Sequence, residues 1–162
     1  MFSSHHAKAV SADSLLSSKL YDQDSFYPAL LNDLKNARSQ IVIESPFITT
    51  RRVNSLMPIF QRLKKRGVQI VINTKPLHEH EPVLYVQAEA AITELQELGI
   101  LVLFTVGHHR KVVIIDRQII WEGSLNALSQ NNSCELMRRI YSEQLANQML
   151  AFLRLDKFLG LM

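Results

Sequence analysis

The apolar positions of this chain change period several times, and each change marks a structural element. Phe26, Leu30, Leu31, Leu34 and Ala37 recur at helical spacing behind Asp24 or Ser25, either of which can cap a first turn. Ile41-Val42-Ile43 then reads as a short strand stopped at Ser45-Pro46, because the residue before a proline is pushed out of helical geometry. Leu56, Ile59, Phe60 and Leu63 form the next helical stripe. Pro58 suits a helix only in its first turn, so this helix is predicted to start at Asn54 or Ser55. Lys64-Lys65-Arg66-Gly67 supplies cations and a glycine to end it. A strand follows over Val68 to Asn73, then a loop over 75–82 that holds two prolines. Ala88, Ala91, Ile92, Leu95 and Leu98 give a third helix, closed by Gly99. Ile100 to Thr105, Lys111 to Asp116 and Gln118 to Trp121 read as three more strands. A last helix opens at Ser142 or Glu143 and turns Leu145, Met149, Phe152 and Leu153 inward.

Helices alternating with strands, then a hairpin and a final helix, predict an α/β fold. The expected sheet is mostly parallel or mixed, with helices on both faces. Residues 1–20 are rich in Ser and Ala without a period and read as a flexible tail, which leaves 21–162 as a single domain.

Composition narrows the class. With 162 residues the chain can build one real core but not two, and 47% apolar against 20% charged residues describes a globular protein. A net charge of +3 leaves room for a polyanionic ligand. Cys134 stands alone, so no disulfide forms within the chain, which fits a reducing compartment. No apolar run approaches the ~20 residues of a membrane span, and the first residues lack the apolar core of a signal peptide. A cytoplasmic location is expected, for a whole protein or a domain of a larger one, with no membrane partner.

The chemistry concentrates in eighteen residues. His109-Arg110-Lys111 leads through Val112-Val113-Ile114-Ile115 to Asp116, and Gly123-Ser124-Leu125-Asn126 follows. Along a strand, side chains alternate between faces, so His109 and Lys111 share one and His108 takes the other. An imidazole, a fixed cation and two neutral donors, Ser124 and Asn126, suit a phosphodiester. The donors and Lys111 hold non-bridging oxygens while the imidazole attacks phosphorus. Asp116 falls on the opposite face from His109 and reads equally well as a strand-end tie or as an electrostatic participant.

At these residues the chain resembles the phospholipase D superfamily, whose signature is His-x-Lys-x4-Asp followed by Gly-Ser-x-Asn. The spacing looks like that of its single-motif nucleases. The stretch Phe26 to Thr49, with Ile41-Val42-Ile43-Glu44-Ser45-Pro46-Phe47-Ile48, is also similar to PLD-like domains attached to superfamily I helicase-type proteins. The resemblance implies a phospholipase D-like fold over about Tyr21 to the C-terminus. It implies catalytic roles for His109, Lys111 and Asp116, and a glutamate, here Glu135, bonded to the histidine. A carboxylate on one ring nitrogen fixes the tautomer and leaves the other nitrogen to attack. Phosphoryl transfer by this route needs two histidines, and one complete motif supplies one. A symmetric pair would bring both copies of His109, Lys111, Ser124 and Asn126 to one phosphate. The partners expected are therefore a second copy of the chain, nucleic acid, and a helicase-type parent chain or partner. No metal or cofactor is called for.

Other polar features have plainer readings. His6-Ala7-Lys8 with Asp13 also satisfies His-x-Lys-x4-Asp, but Ala9-Val10-Ser11-Ala12 is a poor buried strand and no Gly-Ser-x-Asn follows. His78-Glu79-His80-Glu81 could suggest a metal, yet a solvated loop is the simpler reading. Lys64-Lys65-Arg66 reads as a solvated helix end, Trp121 as core, and His108 as a loop or partly exposed histidine. Arg51 and Arg52 sit just past a strand's C-terminal end, where ligands gather in α/β sheets. With Arg138, they are the candidates for contacting nucleic acid. The leading expectation is a metal-independent nuclease acting as a homodimer through a phosphohistidine. The alternatives are a phosphatidyl hydrolase and a non-catalytic nucleic-acid-binding module.

Overall fold

The computed structural model describes residues 17–129 and 133–160. Seven strands make one sheet: β1 (Lys19–Asp22), β2 (Gln40–Glu44), β3 (Gln69–Thr74), β4 (Leu101–Phe104), β5 (Val112–Ile115), β6 (Ile119–Gly123) and β7 (Leu136–Tyr141). Their order across the sheet is β1-β7-β6-β5-β2-β3-β4. Only β2 with β3 and β3 with β4 are parallel, and the other pairings are antiparallel. The α/β class stands, and the sheet is mixed rather than mostly parallel.

Helices α1 (Phe26–Lys35), α2 (Thr50–Lys65) and α3 (Pro82–Glu97) cover one face, and α4 (Glu143–Leu153) covers the other. Strand alternation divides the core accordingly. Ile41, Ile43, Ile70, Ile72, Val113, Ile115 and Trp121 pack beneath α1 to α3. Val42, Val71, Val112, Ile114, Ile120 and Ile140 pack beneath α4. The central strands β2, β3 and β5 are therefore buried at nearly every position, with apolar residues through their middles, as strands covered on both faces must be.

Several elements depart from the sequence reading. Helix α2 starts at Thr50 rather than at Asn54 or Ser55, which leaves Pro58 inside it. Thr49 caps this helix, its side chain accepting from the amide of Arg52, and Val53 and Leu56 are buried in the core. That cap and burial outweigh the ~3 kcal/mol typical of an interior proline, whose ring here lies on the exposed side. The loop over 75–82 contains a 3-10 turn (Leu77–Glu79). Phe152, expected inward, is 74% exposed, and Ala146 is buried instead. Lys19 and Leu20, assigned to the tail, pair with Arg139 and Arg138 as part of β1.

Strand β7 had no counterpart in the sequence reading. Its Arg139 lies on the face covered by α1, where the carboxylate of Asp33 takes the guanidinium at 2.7 Å and the indole N–H of Trp121 at 2.8 Å. The bond to Asp33 raises the pKa of Arg139 above its ordinary value. A cation turned toward the core masks the strand's apolar alternation.

Candidate active site

The topology gathers the motif at one end of the sheet. Strand β5 begins at Val112, opposite Glu122 near the end of β6, and Gly123 lies opposite Met137 near the start of β7. Lys111, Ser124 and Glu135 thus emerge together. The same edge carries the C-terminal ends of β2 and β3, because β5 runs antiparallel to β2. Gly123 is dictated by a close approach. A Cβ there would sit 2.9 Å from the Cα of Met137 and 2.8 Å from its sulfur.

Lys111 is partly buried, and its Nζ donates to the carbonyl of His109 at 2.9 Å. Burial holds its pKa below the ordinary lysine value, and the charge of Glu135 opposes that shift. Glu135 is held below the usual carboxylate range by hydrogen bonds from Ser124 and Ser133, with Lys111 adding attraction. The Ser133 hydroxyl donates to it at 2.7 Å. Lys111 therefore faces an ionised carboxylate. Among the described residues no hydrogen bond reaches the imidazole of His109, which is exposed. The contact expected between Glu135 and His109 is accordingly absent, and Glu135 is engaged by the two serines.

Ser124 also closes the strand ends. Its amide donates to the carbonyl of Leu136 at 3.0 Å, and its hydroxyl accepts from the amide of Leu136 at 3.2 Å. Asn126 is buried, with an Oδ1 that meets no donor among the described residues. Its carbonyl and that of Ser129 both accept the Tyr27 hydroxyl, which pins this loop onto α1.

Asp116 is not at this end. It follows β5, so the four residues of that strand, at ~3.3 Å each, separate it from Lys111. Its carboxylate accepts from the amides of Arg38, Ser39 and Gln40 at 2.8–3.1 Å and from the Ser39 hydroxyl at 3.0 Å. It ties the start of β2 to the β5–β6 turn.

The candidate cations separate similarly. Arg51 is exposed at the start of α2. Arg52 is instead a clamp. Its guanidinium lies 3.6 Å from the ring centre of Tyr27, and its Nε donates to the carbonyl of Ala127. Arg138 is tied to the Ser18 hydroxyl at 2.6 Å and, with Arg110, Lys111 and Glu122, lines a shallow depression beside the motif. In the His78 to Glu81 stretch, His80 is buried edge-on to Phe47, and the carboxylate of Glu79 accepts from the amide of Gly107 at 3.0 Å. His6, Lys8 and Asp13 lie outside the described residues.

His108 differs most from expectation. It is buried, with its Nε2 3.0 Å from Oε2 of Glu44, and the Nε of Arg110 lies 3.2 Å from the same oxygen. Glu44 and Asn73 carry no role at the site in the sequence reading. A signal for them exists: each is a polar residue following a β-branched run, at the strand ends where α/β sheets place their sites.

A seven-stranded mixed α/β sheet presenting His-x-Lys, Gly-Ser-x-Asn and a carboxylate at one edge defines a phospholipase D-like domain. A family model described as cardiolipin synthase, PLD-like domain, matches residues 30–155, and the chain belongs to that family. Among solved structures, Nuc from Salmonella typhimurium, a phospholipase D family member, superimposes with a TM-score of 0.72 at 20% identity. That match covers 90% of this chain and 96% of the other. NucT from Helicobacter pylori gives 0.64 at 17% identity, over 83% of this chain and 91% of that one. Phosphatidylserine synthase from Haemophilus influenzae gives 0.63 at 16% identity, over 86% of this chain and 37% of that one. No curated protein matches the sequence. Among the described residues no helix is long and apolar enough to cross a membrane.

Proposed function

We propose that the chain is a metal-independent phosphodiesterase acting on nucleic acid, with His109 as nucleophile in a homodimer. The observation that carries this reading is the exposed His109 imidazole beside Lys111, at an edge shared by Ser124, Asn126 and Glu135. One nitrogen of His109 attacks phosphorus, forming a P–N bond as the P–O bond to the leaving group breaks. The leaving oxygen takes a proton from His109 of the second copy. Water then attacks phosphorus, that same second histidine takes the water's proton, and the P–N bond breaks to regenerate the nucleophile. Lys111 and the side chains of Ser124 and Asn126 supply the charge and donors that the equatorial oxygens need. The cations Arg110 and Arg138 beside the motif, with Arg51 on α2, favour a polyanionic substrate over a neutral one.

A phosphatidyl substrate is the second reading, favoured by the lipid enzyme in the family's description. One experiment separates these readings. Purified protein is incubated in EDTA with single-stranded DNA, single-stranded RNA and phosphatidylglycerol vesicles. Cleavage of a nucleic acid is expected. Vesicle hydrolysis alone would move the assignment to a lipid enzyme. Loss of all activity, restored by a divalent ion, would refute the mechanism. Sedimentation should show a dimer, and a fully active monomer would refute the paired site.

A further inference from the structure

The segment that delivers His109 is anchored from beneath by one buried carboxylate. Glu44 ends β2 directly opposite Val112, the first residue of β5, and is fully buried. Its Oε1 accepts from the Asn73 side-chain amide at 3.1 Å, and the Oδ1 of Asn73 in turn accepts from the Thr105 hydroxyl at 3.0 Å. Its Oε2 faces His108 at 3.0 Å and Arg110 at 3.2 Å. Neither approach has the geometry of a hydrogen bond, so Arg110 meets Oε2 by charge and His108 by close packing. A second carboxylate, Glu79, takes the Gly107 amide. Residues 105–110 are thus tied down on both sides of His109, which itself stays exposed.

Alternation explains the arrangement. Val42, of the same parity as Glu44, packs beneath α4, so the carboxylate lies on the α4 side of the sheet. His108 and Arg110 turn toward it, and His109 and Lys111 therefore turn away. Burying a carboxylate is costly unless it is paired and hydrogen-bonded. Arg110 provides the permanent charge, and Asn73 satisfies the other oxygen. A site this constrained has few alternative arrangements.

We propose that Glu44 is a positioning residue, whose grip on His108 and Arg110 sets the backbone on both sides of His109 and so aims that imidazole, with Lys111, at phosphorus. The inference rests on the reading of His109 as nucleophile. It assigns Glu44 no contact with substrate.

The test uses the full chain, with bis(4-nitrophenyl) phosphate as a minimal phosphodiester and His109 followed by its imidazole Cε1–H NMR signal. Glu44→Gln keeps the shape and the bond from Asn73, but removes the charge that holds Arg110 and turns an amide N–H toward that cation. Its kcat should fall 10- to 100-fold with KM within about threefold, while circular dichroism stays that of the wild type. The His109 signal should broaden or split in the absence of substrate. Wild-type kcat per folded molecule, or an unchanged His109 signal, would overturn the proposal. A second pair of variants serves if Glu44→Gln does not fold. His108→Gln, which keeps a polar group packed against Glu44, should retain kcat within about threefold, and His108→Leu, which sets an apolar group against a buried carboxylate, should lose about tenfold. Equal values for these two would also overturn it. If wild-type protein fails to hydrolyse any phosphodiester, the functional reading fails instead, and the NMR comparison still decides whether Glu44 orders His109.

Discussion

Asp116 offers the sharpest test of whether a motif residue is chemical or architectural. Replacing it with alanine leaves three backbone amides, those of Arg38, Ser39 and Gln40, without their acceptor. The Ser39 hydroxyl can turn to water, but the amides are fixed by the start of β2. At about 1 kcal/mol for each amide so stranded, the loss is about 3 kcal/mol. Asp116 also has φ of 53°, in the left-handed region. Aspartate tolerates that region better than alanine, which adds about 1 kcal/mol. Asp116→Ala should therefore destabilise the fold by about 4 kcal/mol, and Asp116→Asn, which keeps one acceptor oxygen, by about 1–2 kcal/mol. Asp116→Gly should lie about 1 kcal/mol above the alanine variant, because it relieves the backbone alone. Urea unfolding followed by the fluorescence of Trp121, the single and fully buried tryptophan, reads these differences directly. Turnover per folded molecule should stay within a few-fold of wild type in all three. A loss of stability under about 1 kcal/mol, accompanied by turnover that falls about a hundredfold or more, would refute the architectural role.

Other outcomes follow from the site and its surroundings. His109→Ala should lose at least the ~10²–10⁴-fold of one acid–base group, and Lys111→Ala nearly as much with the fold intact. Glu135→Gln should be intermediate and His108→Ala much milder, and an equal or reversed ranking of the two histidines in the same assay would overturn the assignment. Lys111 should set an alkaline limb of kcat/KM below the ordinary lysine value of 10.5, since burial lowers its pKa. The sign for stability is opposite: the burial penalty on charged Lys111 holds at low pH and is relieved as pH rises through its folded pKa toward the unfolded one. Lys111→Arg should move the activity limb to higher pH, and a profile identical to wild type would assign that limb to another group. Asp33→Ala strands Arg139 and the Trp121 indole, so it should cost about 3–5 kcal/mol and red-shift Trp121 emission, whereas loss of activity at unchanged stability would place Asp33 in the chemistry instead.

The local facts were legible in the amino-acid order. Helical and strand periods identified α1 and α3 and the runs of β2, β3 and β5, because those segments bury side chains on faces set by backbone geometry alone. The spacing of His109, Lys111, Ser124 and Asn126 identified the family for the same reason: all four flank the ends of one strand pair, β5 and β6, and pairing register brings those ends together. Long-range contacts decided the rest. Whether Pro58 lay in a helix's first turn or inside the helix depended on the burial of Val53 and Leu56, and β7 depended on Asp33 meeting a cation 106 residues away. Asp116 follows Lys111 at family spacing, yet four extended residues carry it to the far end of the sheet, where the amides before β2 await an acceptor. His108 and His109 are adjacent and chemically identical. One is buried and the other exposed because β2 ends in Glu44 directly opposite Val112, so a carboxylate lies on one side of the segment and solvent on the other. No local period encodes that difference, because the partner is 64 residues away and only the folded sheet brings it close.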